Sequence, residues 1–148
     1  MKSIKKVVIA INLNESRPEM FQALKGMDFL NESEIHLVHV LQTTVYALGL
    51  GQVPVYPLEK DRQALEESVR LGLENFITGV LPVNFKGKIV NQCLFGEDPK
   101  KTFCSHIQEV RPDLVIIAAR EKRGLFESSF AQYVNKHTDS NLFIIKSR

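Results

Sequence analysis

PDLVIIAAREKRGLFESSFAQYV, residues 112–134, is the stretch that decides how this chain folds. Leu114 to Ala119 form a short, continuous, largely β-branched run, the mark of a strand covered on both faces. The apolar strand ends at Ala118, and a loop carrying Arg120, Glu121, Lys122 and Arg123 follows, with Gly124 as its one glycine. Phe130, Ala131 and Val134 then recur at helical spacing. A strand, a turn and a helix in this order form one α/β unit, and the carboxyl end of such a strand is where ligands bind in open α/β sheets. A loop at this place is usually rich in glycine and cradles phosphate; here it is rich in charge.

The same alternation extends to both sides. KVVIAINL (6–13) reads as the first strand. Pro18 suits the first turn of a helix, whose stripe is Met20, Leu24, Met27 and Phe29 or Leu30. EIHLVHVL (34–41) is the second strand, and Gln42 to Pro57, with two glycines and two prolines, is the one long irregular piece. Leu58 to Leu81 carry the longest helical pattern, through Leu65, Val69, Leu73 or Gly72, Phe76 and Val80, closed by Pro82. KGKIVNQCLF (86–95) is the third strand. In GEDPKKTFCSHIQEV (96–110) Asp98 caps a helix, Pro99 takes its first position, and Phe103, Ile107 and Val110 line one side. NLFIIK (141–146) is the last strand. Five apolar strands alternating with four helices predict a three-layer α/β sandwich around a parallel sheet, built as a single domain spanning residues 1–148.

Composition narrows the function. With 19 Lys and Arg against 17 Asp and Glu, the net charge of +2 falls short of the basic footprint of a dedicated nucleic-acid binder. Cys93 and Cys104 form neither a CxxC pair nor a metal cluster and read as reduced thiols of a cytoplasmic protein. MKSIKKVVIAINLN (1–14) has the basic start of a signal peptide, but Asn12, Asn14 and Glu15 end its apolar run, so it reads as a strand. No apolar run reaches the roughly 18 residues of a membrane span. GxSxG, HExxH and Walker sequences are absent, and LGLGQVP (48–54) does not have the spacing of a dinucleotide loop. His36 and His39, three apart on a strand, point to opposite faces and cannot share a metal. Cys104 and His106, two apart on a helix, do not face one another. No catalytic residue, metal site or cofactor is expected.

INLNES (11–16), HLVHVL (36–41), LFGEDPKKTF (94–103) and RPDLVIIAAREKRGL (111–125), in this order and spacing, resemble the universal stress proteins over nearly the whole chain. The resemblance implies a sheet order of 3-2-1-4-5, which sets the ends of the first and fourth strands side by side. In nucleotide-binding members an aspartate at the end of the first strand contacts adenine, and its position falls on Asn12. Leu13 and Val40 fall beside it. The glycines of the family's phosphate motif fall on Ala118 and Glu121, Gly124 and Leu125 match its Gly-Leu, and its Gly-Ser pair falls on Ser128 and Ser129. Six residues separate Glu121 from Ser128 where the motif has nine, so the loop is three residues short. The candidate nucleotide residues are thus Asn12, Leu13, Val40, Ala118, Arg120, Gly124, Ser128 and Ser129. The family also dimerises through its last strand, here Leu142 to Ile145.

Glycines in a phosphate loop allow positive φ and close approach of the amides to the anion. A carboxylate from Glu121 about 4 Å from a phosphate charge would cost about 4 kcal/mol at an effective dielectric near 20. Arg120, Lys122 and Arg123, with Ser128 and Ser129 at a helix N-terminus, oppose that cost. The expectation is a small stress-response regulator acting by binding and dimerisation, with weak or no affinity for ATP. The alternative is an ATP- or AMP-binding member with slow or no hydrolysis. A hydrolase or ligase of the related adenine-nucleotide fold would need a Ser-Gly-Gly type loop after the first strand, and INLNES does not supply one.

Overall fold

A computed structural model describes residues 4–13, 18–45, 55–122, 125–126 and 129–147, with the backbone alone at 45, 55–56, 120–122, 125–126, 129 and 147. The long strands are β1 (Lys6–Ala10), β2 (Glu34–Gln42), β5 (Lys88–Gly96), β6 (Leu114–Lys122) and β8 (Asn141–Ser147). Two-residue strands β3 (Thr44–Val45) and β4 (Val55–Tyr56) pair as a separate antiparallel ribbon, and β7 (Leu125–Phe126) pairs antiparallel with the end of β6. The helices are α1 (Pro18–Lys25), α2 (Glu59–Val80), α3 (Pro99–Val110) and α4 (Ser129–His137).

The five long strands are parallel and lie in the order β5-β2-β1-β6-β8, which is 3-2-1-4-5 when they alone are counted, as expected. Right-handed crossovers explain the layers. The first two connections step outward one way and put α1 and α2 on one face, over Ile9, Leu37, Leu73 and Ile116. The next two step the other way and put α3 and α4 on the opposite face, over Val8, Val38, Phe103, Ile117 and Val134. Val7, Val8, Ile9, Val115 and Ile116 are all fully buried, which is why these strands show no polar alternation.

Several boundaries differ from the expectation. The first helical stripe breaks at Lys25, where Gly26 and Met27 donate to Ala23 and Leu24 with 3₁₀ spacing, and a 3₁₀ turn over Asp28–Glu32 then buries Leu30. The largest difference lies at the opening stretch. β6 does not end at Ala118 but continues to Lys122, because β8 runs beside it to the pair Arg120 and Ser147 and β7 pairs with Glu121 and Lys122. Within the Gln42 to Pro57 segment, residues 46–54 lie outside the described residues.

The β5 to α3 turn follows its sequence signals. Asp98 caps α3 by accepting from the Lys100 amide at 3.1 Å, with Pro99 at the first position. Thr102 turns its hydroxyl back onto the Asp98 carbonyl oxygen at 3.0 Å. That hydroxyl occupies the space a Cβ at position 96 would need, so only glycine fits there. The helix ends on Arg111 in the left-handed region at φ 53°, after which Pro112 releases the chain into β6. Among the described residues no helix is long and apolar enough to cross a membrane.

The substitution Gly96→Ala is expected to lower the urea unfolding midpoint at unchanged slope, equivalent to a loss of about 1–3 kcal/mol, because Thr102 must give up its rotamer or the turn must open.

Candidate functional site

β1 and β6 pair only from Val7 and Leu114 to Ile9 and Ile116. β1 nevertheless stays on β2 through Ala10 and Val38, and the Ile11 amide donates to the Val38 carbonyl oxygen at 2.8 Å. The sheet therefore splits between β1 and β6 at their carboxyl ends, where the chain leaves for α1 on one face and toward α4 on the other. The split opens into a cleft of about 930 Å³.

Four of the expected residues meet there. Asn12, exposed just beyond β1, lines the cleft together with Leu13, Val40 and Ala118. Leu13 is seated against α2 at a place where a Cβ on Gly72 would come within 3.0 Å of its Cδ1, so the small residue in the helix sets how close that wall comes. The other expected residues are not brought into view in the same way. Arg120 lies two positions beyond Ala118 with its backbone in the β8 ladder, Ser129 opens α4, and Gly124 and Ser128 lie outside the described residues. Glu121 belongs to β6, where its backbone pairs opposite Phe126.

The sequence reading missed the floor and one wall. His39, buried at 4% exposure, sits beneath the split with Nδ1 2.9 Å from the Ile11 carbonyl oxygen and 3.3 Å from the Leu13 amide nitrogen. A single ring nitrogen cannot both donate and accept, and the shorter contact assigns the proton to Nδ1, donated to Ile11. The imidazole thereby holds the backbone on the Ile11 side of Asn12. The wall comes from α1 and α2, where Phe21 and Phe76 meet edge to face at 5.9 Å and 84°, with Asn75 beside them. Across the cleft stands Phe130, tilted on Phe103 at 5.3 Å. The described lining of the cleft holds no Asp, Glu, Lys or Arg, so its recognition chemistry rests on amides, an imidazole and aromatic faces. Position at the end of β2, one residue before Val40, is the signal that could have singled out His39.

The remaining titratable groups lie elsewhere. His36 and His39 do occupy opposite faces of β2, since His36 meets His106 of α3 with ring centroids 6.4 Å apart. His36 Nε2 contacts Glu34 Oε2 at 2.9 Å, and Lys6 and Lys88 approach the same carboxylate at 3.7 and 3.8 Å. The hydrogen bond from His36 is the main reason the Glu34 carboxyl is held below its ordinary value, against the opposing effect of burial. Burial, and then His36, push the His106 imidazole down. Burial, and then the charge of Glu66, push the Cys93 thiol up to about 11, and burial raises Cys104 as well. Neither thiol is poised as a nucleophile. Among the described residues no group of three or more His, Cys, Asp and Glu comes together to hold a metal.

The model of the universal stress protein family matches residues 3–146. Solved structures share the fold at low identity. One from Arabidopsis thaliana with AMP bound has 21% identity, coverage of 97% of this chain and 92% of that one, and a TM-score of 0.60. A universal stress protein from Archaeoglobus fulgidus in complex with dAMP has 14% identity, coverage of 98% and 100%, and a TM-score of 0.58. A third, from Lactobacillus plantarum, has 13% identity, coverage of 98% and 99%, and a TM-score of 0.62. Among curated protein sequences none matches.

Replacement of His39 by Phe keeps the ring volume but leaves the buried Ile11 carbonyl without its donor. Urea unfolding is expected to show a loss of about 1–3 kcal/mol, the cost of an unsatisfied buried acceptor.

Proposed function

Since the chain belongs to the universal stress protein family, we propose that it is a small stress-response regulator that works by binding and self-association, with a nucleotide site degraded at its phosphate end. One observation carries this reading. Where a phosphate loop would turn its amides toward an anion, β6 runs on as a strand, with Ala118, Ala119 and Arg120 laddered against Ile145, Lys146 and Ser147. A strand held extended by the β8 ladder cannot curl to wrap phosphates, and Ala118 and Glu121 stand where the motif's glycines would give that freedom. The base end is better preserved. Asn12, Val40 and the aromatic walls form a concave apolar site with amide groups, and relatives of this fold are solved with AMP and with dAMP.

The second reading, a nucleotide-binding member with slow or no hydrolysis, draws support from the cleft itself, which lies at the switch point where such sheets take ligands. On the first reading the protein is not an enzyme, needs no cofactor, and acts in the cytoplasm on protein partners rather than on nucleic acid or membrane. Titration of the protein with ATP and magnesium by calorimetry separates the two. The expected outcome is no saturation by ATP below about 100 μM, which is roughly 5.5 kcal/mol of binding. Saturation at lower concentration, with or without phosphate release, would establish the second reading.

Self-association is proposed through β8. Among the described residues this strand pairs with β6 alone, and Phe143 is 47% exposed beside the half-buried Leu142 and Ile144. An apolar sheet edge of this kind recruits another strand, and a second copy satisfies it with two-fold symmetry. Sedimentation at micromolar concentration is expected to give a species of twice the 16.8 kDa chain mass; a single monomeric boundary would refute it.

A further inference from the structure

On the face covered by α3 lies a group of polar side chains that the cleft does not use. His36 Nε2 donates to Glu34 Oε2 at 2.9 Å, which puts the proton on Nε2 and leaves Nδ1 with a lone pair. That Nδ1 is buried without a hydrogen-bond partner, and so is Nε2 of His106. The rings tilt at 60° with centroids 6.4 Å apart, too far to bond one another directly. Gln92 pairs in register with Val38, so it shares the face of His36 two residues along, and its Oε1 is a third buried atom without a partner. α3 packs across both β2 and β5 here. Buried polar atoms in native proteins are almost always satisfied. Three of them, at least two presenting lone pairs, gathered on one face beneath α3, call for a partner that accepts electron density.

We propose that His36 and His106 form a binding site for one divalent transition-metal ion of the zinc, nickel or copper class, ligated through His36 Nδ1 and His106 Nε2. The Gln92 amide oxygen and solvent complete the shell. Imidazole nitrogen is the donor such ions favour. A histidine that gives its other N–H to a carboxylate is held in the right tautomer and made more basic, and Glu34 does this for His36. Glu34 in turn is neighboured by Lys6 and Lys88 rather than left as an isolated charge. Metal–nitrogen bonds of about 2.0–2.1 Å at a tetrahedral angle bring ring centres to about 5 Å, so the two rings close by roughly 1 Å from their present spacing. With two imidazoles rather than four strong ligands, the site is weaker than a structural zinc centre.

The test is titration of the tag-free, chelator-treated full chain with zinc chloride, followed by calorimetry and by ¹⁵N resonances of the imidazoles. The expected result is one saturable equivalent with shifts confined to His36 and His106. His106→Leu should abolish it, Glu34→Gln should weaken it about 10-fold, and His137→Ala, which removes an exposed ring bonded to the Tyr133 carbonyl oxygen, should leave it unchanged. No saturation by 100 μM zinc, the result expected if an ordered water bridges the rings, overturns the proposal. So do shifts at His39 or His137 in place of the pair. Both outcomes are read on the unaltered protein, so they stand even if His106→Leu does not fold.

Discussion

β1 must hydrogen-bond on both sides at once, to β2 on one flank and β6 on the other, while the connections beyond those flanks leave for opposite faces. The rest of the molecule is arranged around that requirement. It holds for three residues against β6, from Val7 to Ile9, and for five against β2, from Lys6 to Ala10. At the carboxyl end Ala10 keeps β2 but has lost β6, and there the sheet parts; the cleft exists because the strands cannot stay paired while their chains diverge. His39 is the local answer, since it bonds the Ile11 carbonyl oxygen at 2.9 Å and steadies the strand end that has lost one neighbour.

Most of the architecture is written in one-dimensional pattern. Runs such as KVVIA and LVIIA are apolar throughout because both faces of each strand are covered, and Asp98 with Pro99 marks a helix start by chemistry that acts over three residues. What escaped the reading depends on distant partners. Nothing within AREKRGLF says that its first half will be laddered against Lys146 and Ser147, because strand extension is a property of the pair. His39 read as an ordinary strand histidine for the same reason: its bond partner is 28 residues away. Phe76 was seen as one position of a helical stripe, and only the packing of α1 on α2 makes it a wall.

The two ends of the cleft follow different physics. Around Asn12 and Val40, apolar and amide groups are already in place on strands and helices, where geometry is well determined. Beyond Ala118, the charged stretch of the sequence belongs to a strand whose backbone is laddered on β8 and paired with β7. Net charge in a motif is a poor guide to anion binding when the backbone that carries it is held extended and cannot curl around the anion.

The extension of β6 to Lys122 also bears on how any ligand would be held. A glycine-rich loop is ordered by the anion it wraps, and each residue so fixed subtracts roughly 1–2 kcal/mol of backbone entropy from the binding free energy. From Ala118 to Lys122 that entropy is lost when the protein folds, before any ligand arrives. That end of β6 is therefore set in advance, and a ligand held against it would be selected by fit to a fixed shape rather than by adaptation of the chain.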